Sequence, residues 1–390
     1  MLASRRALLA AGAASLAFPA LAWGQARADK KLVFLLLRGG LDGLTALPPT
    51  GDPDYRRLRG SIAVQNALPL DQSFGLHPHL IKMKAMYDAR ELLPIHACAT
   101  AYRERSHFDG QNVLETGAAR PFGRDEGWLN AALAALAPSG DRELGIALAD
   151  QAPLVLRGPG KVATWAPSTM SEPSNDTVAR LIDLYQHRDA ALASALQSAV
   201  SVDHMAGGQS AMAGGGGAYG QTPALARVAA NFLKQPQGPI AAVIEMTGWD
   251  THANEGADEG QLARNLTILD DTMDTLKAEM GPAWSDTVVV VATEFGRTAA
   301  VNGNYGTDHG TGAAAFVAGG GVAGGRVLTD WPGLSQAALL DQRDLRPTTD
   351  LRSVLKGVLS DHLRVADAAL DRDVFPDSAD ARRSQGLLRA

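Results

Sequence analysis

Five short apolar runs along the chain constrain its fold more than any other feature. They occupy residues 31–37 (KLVFLLL), 92–98 (LLPIHAC), 239–246 (PIAAVIEM), 287–293 (TVVVVAT) and 313–317 (AAAFV). Runs of this length without polar alternation are typical of strands buried on both faces of a parallel sheet. Pro94 counts against the second prediction, because proline cannot donate a ladder hydrogen bond.

Helical patterns lie between these runs and predict the fold class. They occur at residues 77–90, 106–117 and 261–280, and the sequence PTTD at 347–350 is typical of a helix start. The pattern at 261–280 places apolar side chains on one face of a helix. Strands that alternate with helices predict an α/β fold, with a largely parallel sheet flanked by helices.

The middle of the chain has a different pattern. Residues 120–236 lack strong strand runs and carry Ala- and Leu-rich helical patterns, and residues 206–220 are rich in glycine. A glycine-rich stretch with little apolar periodicity is typical of a flexible loop. We therefore predict a single α/β domain at 29–390 that contains a mainly helical insertion at 120–236.

The first 28 residues have the features of an export signal. Arg5 and Arg6 precede an apolar run that reaches Trp23, and small residues follow at Ala26 and Ala28. The pattern predicts a signal peptide at 1–28, and the paired arginines favour the twin-arginine export machinery. A membrane anchor or an ordinary secretory signal is the alternative. We expect a periplasmic or secreted mature protein.

Charge and composition exclude two classes of function. The net charge is -6 and no basic run is present, which is unfavourable for binding nucleic acid. No segment after the signal is long and apolar enough to predict a membrane span in the mature form. Cys98 is the single cysteine, so no disulfide can form within the chain.

Polar residues follow the ends of the predicted strands. In open α/β sheets ligands bind beyond the carboxyl ends of the strands. Carboxylates and imidazoles are ligands for divalent cations, a serine at a helix start suits an anionic group, and an arginine can hold a phosphate or sulfate. The candidates are Asp42, Ser106, Asp250, His252, Glu294, Arg297 and His309.

Each candidate also has a structural alternative. Asp42 after two glycines could be a turn residue or a helix cap. Ser106 could be only a helix N-cap, and Glu294 could form a structural ion pair with Arg297. The shared position at strand ends favours a functional site over these alternatives.

Five motifs resemble those of domain-of-unknown-function family 1501, across almost the whole chain after the signal. The family is grouped with alkaline phosphatases, sulfatases and phosphopentomutases, which implies an alkaline-phosphatase-like fold. The motifs are residues 40–44 (GLDGL), 105–109 (RSHFD), 248–252 (GWDTH), 293–298 (TEFGRT) and 306–310 (GTDHG).

The resemblance, together with the chemistry of arginine, implies a role for each candidate. Ser106 takes the place of the nucleophile, and Arg297 would hold the developing oxyanion. The remaining candidates take the places of ligands to a divalent metal, which could be zinc, manganese, magnesium or calcium. These ligands are Asp42, Asp250, His252, Glu294 and His309.

The sequence also departs from the superfamily pattern. One residue separates Asp250 from His252 where three are usual, and Phe295 stands where a metal-binding histidine is expected. A site built from Asp42, Ser106 and Glu294 would hold only oxygen ligands, which favours magnesium or calcium or no metal. Cys98 is not followed by the residues that sulfatases need in order to convert a cysteine to formylglycine.

Three hypotheses for function follow. The first is an exported metal-dependent hydrolase of a phosphate or sulfate ester, small or polymeric, with a serine nucleophile. The second is a non-catalytic exported binding or assembly protein that keeps the fold with a degraded metal site. The third is a purely structural metal site.

Overall fold

An eight-stranded sheet forms the centre of the computed structural model, which describes residues 29–137, 142–167, 174–206 and 221–389. The spatial order of its strands is β10-β4-β9-β8-β1-β7-β5-β6, and β2 and β3 form a separate hairpin. The strands are β1 Lys31–Leu37, β2 Leu68–Pro69, β3 Gly75–Leu76, β4 Leu92–Ala99, β5 Gly145–Ala147, β6 Val162–Thr164, β7 Ala241–Met246, β8 Thr287–Thr293, β9 Ala313–Ala318 and β10 Thr349–Asp350.

Helices cover both faces of this sheet. Short 3-10 turns at Gly60–Ile62, Leu154–Leu156 and Gly281–Asp286 and a π turn at Leu370–Val374 complete the elements. The helices are α1 Gly43–Ala46, α2 Tyr55–Arg59, α3 Ile81–Asp88, α4 His107–Thr116, α5 Trp128–Leu136, α6 Asn175–Arg188, α7 Ala190–Met205, α8 Thr222–Lys234, α9 Gln261–Met280, α10 Leu351–Asp361 and α11 Asp367–Ala369.

The predicted fold class is confirmed, with one strand that runs against the others. β1 pairs in parallel with β7 and β8, and β5 pairs in parallel with β6 and β7. β9 is antiparallel to both of its neighbours, β4 and β8. The start of β9 therefore lies at the same edge of the sheet as the carboxyl ends of the parallel strands.

Two hydrophobic cores lie on the two faces of the sheet. Successive side chains of a strand point to opposite faces, and β1 shows this directly. Its odd-numbered residues from Val33 to Leu37 pack with side chains of α8 and α9. Its even-numbered residues from Leu32 to Leu36 pack with side chains of α5 and α10. Burial on both faces explains why β1 carries no polar alternation.

The region predicted as a helical insertion, residues 120–236, also contributes to the sheet. β5 and β6 lie within it and extend the sheet beyond β7. α8 packs against α9 and β7 and supplies buried residues to the core. Strands of three residues are too short to give a recognisable apolar run.

Parts of the chain that carry sequence predictions lie outside the described residues. The predicted signal peptide at 1–28 is one of them, and the glycine-rich loop at 206–220 is another, apart from Ala206. Among the helices that the structure describes, none is long and apolar enough to cross a membrane.

Candidate metal centre

The candidate site lies where several strand ends meet at one edge of the sheet. Asp250 follows β7, Glu294 follows β8, and His107 begins α4 after β4. His309 reaches the same edge because it precedes the antiparallel strand β9. Its loop pairs with the segment after β8 through a bridge between Arg297 and His309. Residues far apart in the sequence therefore face one another here.

Glycine permits the close approach of β1 to this edge. Gly39 has a φ of +123°, and a Cβ atom there would lie 2.6 Å from the backbone nitrogen of Asp250. Any other residue would be strained at this φ and would collide with the Asp250 backbone. The glycine turn after β1 is therefore a requirement of the site.

Three imidazoles converge on one carboxylate oxygen. Asp250 Oδ1 lies 3.4 Å from Nε2 of His107, 3.0 Å from Nε2 of His252 and 3.3 Å from Nε2 of His309. The ligand atoms of His107, Asp250 and His309 all lie within 4.8 Å of one another. The Nε2 atoms of His252 and His309 are 2.9 Å apart.

The opposite nitrogen of each ring has its own acceptor. Nδ1 of His107 lies 2.8 Å from Glu294 Oε1, and Nδ1 of His309 lies 2.8 Å from the carbonyl oxygen of Arg105. A carbonyl oxygen only accepts, so Nδ1 of His309 carries the proton. Nδ1 of His252 faces Asp308 Oδ1 at 3.4 Å. This arrangement is typical of metal-binding histidines, whose second nitrogen is held by a carboxylate or carbonyl.

Neutral His107 and His309, with the proton on Nδ1, would both direct an Nε2 lone pair at Asp250 Oδ1. Nε2 of His107 is buried and has no hydrogen-bond partner in the described part of the chain. Lone pairs that face a carboxylate repel one another unless a cation lies between them. The donor set therefore fits a divalent cation.

The electrostatic surroundings set the pKa values of these groups. The hydrogen bond to Glu294 raises the pKa of His107, whereas burial lowers the pKa of His309. Burial alone would raise the pKa of Asp250, but the hydrogen bond and charge of Arg297 hold it below its ordinary value. Asp250 is therefore ionised at neutral pH and is available as a ligand.

Arg297 uses its donors within the protein. It is 1% exposed, and Nη1 donates to Asp250 Oδ1 at 2.6 Å. Nη2 and Nε donate to the carbonyl and hydroxyl oxygens of Thr307 at 2.6 and 3.2 Å. The structure thus places the predicted oxyanion clamp behind Asp250, where it orients the carboxylate.

Ser106 occupies the N-cap position of α4 without capping it. Its side chain makes no capping hydrogen bond to the described first turn, and its backbone nitrogen donates to the Tyr102 hydroxyl at 3.1 Å. It directly precedes His107, and the preceding carbonyl, of Arg105, holds His309. Ser106 is therefore the residue directly before a candidate ligand, and its side chain does not cap the described first turn of α4.

Asp42 lies in a separate buried cluster. It caps α1 by accepting from the backbone nitrogen of Leu44 at 3.0 Å and forms an ion pair with Arg59, which also approaches Glu255 Oε1 at 3.4 Å. All three ionisable side chains are at most 1% exposed. The guanidinium occupies the space beside the carboxylate in which a cation would bind Asp42.

Comparison of the sequence with known families identifies a match over most of the chain. Residues 29–375 match DUF1501, described as "Protein of unknown function (DUF1501)". The chain belongs to the DUF1501 family. No curated protein sequence matches the chain.

Solved structures similar to this DUF1501 chain share little sequence with it. The C-terminal periplasmic domain of EcEptC from Escherichia coli, in complex with Zn, is 8% identical, with 94% of each chain covered and a TM-score of 0.43. The phosphonate monoester hydrolase of Agrobacterium radiobacter is 11% identical, with 86% of this chain and 74% of that chain covered and a TM-score of 0.38. The lipoteichoic acid synthase LtaP from Listeria monocytogenes is 10% identical, with coverages of 89% and 76% and a TM-score of 0.39.

In this DUF1501 chain the imidazole of His107 lies beside Phe295, the position where the resemblance predicted a histidine. Phe295 is 2% exposed, and its ring centroid lies 4.8 Å from that of His107 and 5.1 Å from that of His309. The phenyl ring forms an apolar wall of the centre. Sequence reasoning missed His107, although its position in the motif RSHFD, directly after Ser106, was the available signal.

Glu294 supports His107 from behind. It is fully buried and accepts hydrogen bonds from the backbone nitrogen of Gly39 at 2.8 Å and from Gln111 Nε2 at 3.2 Å, in addition to His107. Burial alone would raise the pKa of Glu294, but the hydrogen bond from His107 holds it below its ordinary value. The carboxylate is thus ionised and keeps the proton of His107 on Nδ1.

Proposed function

We propose that this protein is an exported, metal-dependent hydrolase of a phosphate or sulfate ester. His107, Asp250 and His309 would hold one divalent cation, with His252 beside them. Ser106 would be the nucleophile. The observation that carries the proposal is the convergence of three imidazole Nε2 atoms on Asp250 Oδ1. Ser106 directly precedes one of these histidines in the sequence, and its side chain does not cap its helix.

The ligand types indicate which cation would bind. Imidazole nitrogens suit zinc and other transition metals, whereas magnesium and calcium prefer a full set of oxygen ligands. Zinc is therefore the expected ion, and manganese, which prefers oxygen ligands, is the weaker candidate. When bound, such an ion would supply Lewis-acid stabilisation of negative charge on the ester group.

The protein's own residues would prepare the ligands and the nucleophile. Arg297 orients Asp250, Glu294 orients His107, and the Arg105 carbonyl orients His309. Ser106 Oγ would bond to phosphorus or sulfur while the bond to the alcohol oxygen breaks and that oxygen takes the serine proton. Water would then hydrolyse the serine ester. The first-turn amides of α4, which the Ser106 side chain does not cap, favour an anionic group at this position.

Export is part of the proposal and rests on the N-terminal sequence. Cleavage after Ala28 and passage through the twin-arginine machinery would place the enzyme in the periplasm or medium, where it would meet a small or polymeric ester. Replacing Arg5 and Arg6 by lysine should leave the precursor in the cytoplasm, as fractionation would show. Normal export of that double variant would refute this route.

A second candidate function is a non-catalytic binding or assembly protein. Asp42 pairs with Arg59, and Arg297 donates to Asp250 and Thr307. These contacts favour the binding protein, because they leave neither Asp42 nor Arg297 available to contact a substrate. Under this alternative the metal centre would stabilise the fold or bind a ligand without turnover.

Metal analysis combined with an ester screen separates the alternatives. Purified wild-type protein should bind one equivalent of zinc or manganese, and His107→Ala and Asp250→Ala should each lose it. His79→Ala is the control, because His79 contacts Thr267 and Glu259 away from the centre. The screen should use phosphate, phosphonate and sulfate esters with zinc, manganese, magnesium and calcium in turn.

The outcomes are distinct. Full metal content in His107→Ala would refute the proposed centre. Bound metal without turnover of any ester would refute the hydrolase and support the binding protein. Turnover that is lost together with the metal in His107→Ala but kept in His79→Ala would support the hydrolase.

A further inference from the structure

A cavity of about 260 Å³ lies at the same edge of the sheet as the candidate metal centre. It is bounded by the carboxyl ends of β5 and β7, by the first turn of α8 and by the first half of α9. We call it the β5–β7 cavity. The described residues that line it are Leu148, Ala149, Asp150, Ala166, Pro167, Gln221, Thr222, Leu225, Glu245, Met246, Thr247, Trp249, Asn265 and Ile268.

The cavity and the metal centre share one short backbone segment. Trp249 lines the cavity, and the next residue, Asp250, supplies the carboxylate on which the imidazoles converge. Trp249 is fully buried, and its Nε1 donates to the carbonyl oxygen of Met246 at 3.0 Å. Asn265 Nδ2 donates to the carbonyl oxygen of Gly248 at 2.8 Å. These contacts fix the cavity wall relative to the centre.

The interior of the cavity is apolar. Leu148, Leu225, Met246, Trp249 and Ile268 form it. Small-molecule sites are typically clefts of roughly 300–1,000 Å³ with apolar linings and a few polar groups. The β5–β7 cavity lies just below this range, so it suits a short organic group such as a phenyl ring with a two-atom chain.

The polar groups of the cavity favour a neutral or cationic occupant. Its charged residues are Asp150 and Glu245, and no lysine, arginine or histidine occurs among the described lining residues. Glu245 accepts from Arg38 Nε at 3.0 Å, which neutralises it. Asp150 is exposed at the rim and gives the mouth of the cavity a negative charge. An anionic group would be repelled there.

We propose that the β5–β7 cavity binds an apolar organic group that is uncharged or positively charged. On the basis of the proposed function, this group is the alcohol part of the ester. The anionic part would lie at the metal centre, and the cavity would discriminate against alcohols that carry a carboxylate.

Three probes of nearly equal size test the cavity apart from turnover. 2-Phenylethylamine, 2-phenylethanol and phenylacetate differ mainly in charge. Titrations of the mature protein, followed by NMR, should show binding of the amine and the alcohol and at least fivefold weaker binding of phenylacetate. Equal binding of phenylacetate and the amine would overturn the proposal.

Two pairs of variants localise the binding. Ile268→Trp fills the cavity and should weaken binding of both favoured probes at least fivefold, whereas Ile81→Trp, at an Ile that is 66% exposed on α3, should not. Asp150→Lys lies at the exposed rim, where it is compatible with folding. It should reverse the preference between the amine and phenylacetate, whereas Asp176→Lys on α6 should not. Unchanged preference in Asp150→Lys would overturn the proposal.

The outcomes also separate this proposal from the proposed function. Probe binding without turnover of any ester would refute the hydrolase and leave the cavity as a ligand site. If the wild-type protein hydrolyses an ester but Asp150→Lys leaves the probe preference unchanged, the proposed role of the cavity is refuted and the hydrolase proposal stands.

Discussion

Glu294 illustrates how one buried carboxylate can act through its neighbour. Its Oε1 atom holds Nδ1 of His107 at 2.8 Å, so the opposite nitrogen is directed at Asp250. The sequence predicted Glu294 as a metal ligand, whereas the observed contacts give it the geometry of a positioning residue. Partners of this kind are typically worth about 10- to 100-fold in metal affinity.

Glu294→Gln should weaken metal affinity at pH 8 by about tenfold or more. Glu294 raises the pKa of His107, and protons compete with the cation for Nε2. The variant should therefore lower this pKa and shift the pH midpoint of metal binding to lower pH. Calorimetric titrations across pH 5–8 measure both effects.

Glu91→Gln is the control, because Glu91 is a partly buried carboxylate that pairs with Lys277 instead. It should change neither the affinity nor the midpoint. A Glu294→Gln variant with both quantities unchanged would show that Glu294 does not act on His107.

The start of α4 carries the nucleophile of the proposed reaction. Ser106→Ala should abolish ester hydrolysis but leave metal content and the local stability of the helix unchanged, because Ser106 makes no capping bond to the described first turn. Amide hydrogen exchange in the first turn of α4 measures that stability.

The same substitution at a true cap is the control. Ser174 at the start of α6 accepts from the backbone nitrogen of Thr177 at 3.2 Å. Ser174→Ala should cost about 1 kcal/mol and accelerate exchange in the first turn of α6. Faster exchange in α4 of Ser106→Ala, with hydrolysis preserved, would identify Ser106 as a structural residue.

The loop before α4 is held by a buried aspartate. Arg105 has a left-handed φ of +66°, and its Nε donates to Asp344 Oδ2 at 2.7 Å, where the Asp344 side chain is fully buried. The carbonyl of Arg105 in turn holds His309. Asp344→Asn should therefore weaken metal affinity by about tenfold, since it loosens a partner of a ligand.

Asp341→Asn is the matched control for Asp344→Asn. Asp341 pairs with the same arginine at 3.3 Å, but its side chain is 69% exposed, and exposed ion pairs contribute little. Metal titration should distinguish the two variants. Equal affinities would mean that the Arg105 loop keeps its position without Asp344.

The buried cluster of Asp42, Arg59 and Glu255 links distant parts of the whole molecule. Arg59 lies on α2, and the Glu255 carboxyl lies 2.9 and 2.7 Å from the hydroxyls of Thr251 and Thr307. Burial and the charge of Asp42 raise the pKa of Glu255 to about 8. Burial alone would raise the pKa of Asp42, but the charge of the neighbouring Arg59 holds it below its ordinary value. Glu255 is therefore the protonated member of the cluster.

This proton makes folding stability depend on pH. The pKa of Glu255 is higher in the folded state than its ordinary value of 4.5, so the folded state binds more protons between about pH 4.5 and 8. The stability that protonated Glu255 contributes to the folded state is fully present below pH 4.5 and is lost as the pH rises through about 8. Glu255→Gln stays neutral and should remove this component.

Denaturant unfolding at pH 5 and pH 8 measures the difference. The free energy of unfolding of Glu255→Gln, relative to wild type, should increase from pH 5 to pH 8. Glu259→Gln, at a side chain that is 85% exposed, should show no such trend. A constant difference for Glu255→Gln would mean that the carboxyl is ionised throughout this range.

Local sequence patterns were sufficient for the main elements of the fold. β1, β4, β7, β8 and β9 were predicted from apolar runs, because a strand buried on both faces must be apolar along its whole length. The helices α4 and α9 were predicted from their periodicity. β5 and β6 were not, because three residues carry too little pattern.

The contacts of the candidate centre depend on residues that the sequence cannot place relative to one another. Asp250, His252 and His309 were predicted as ligands and lie together. His107 joins them because α4 begins beside the end of β8, and Arg59 meets Asp42 because α2 packs near α1. A sequence pattern records residue type and spacing, whereas these contacts depend on strand order and on the antiparallel direction of β9.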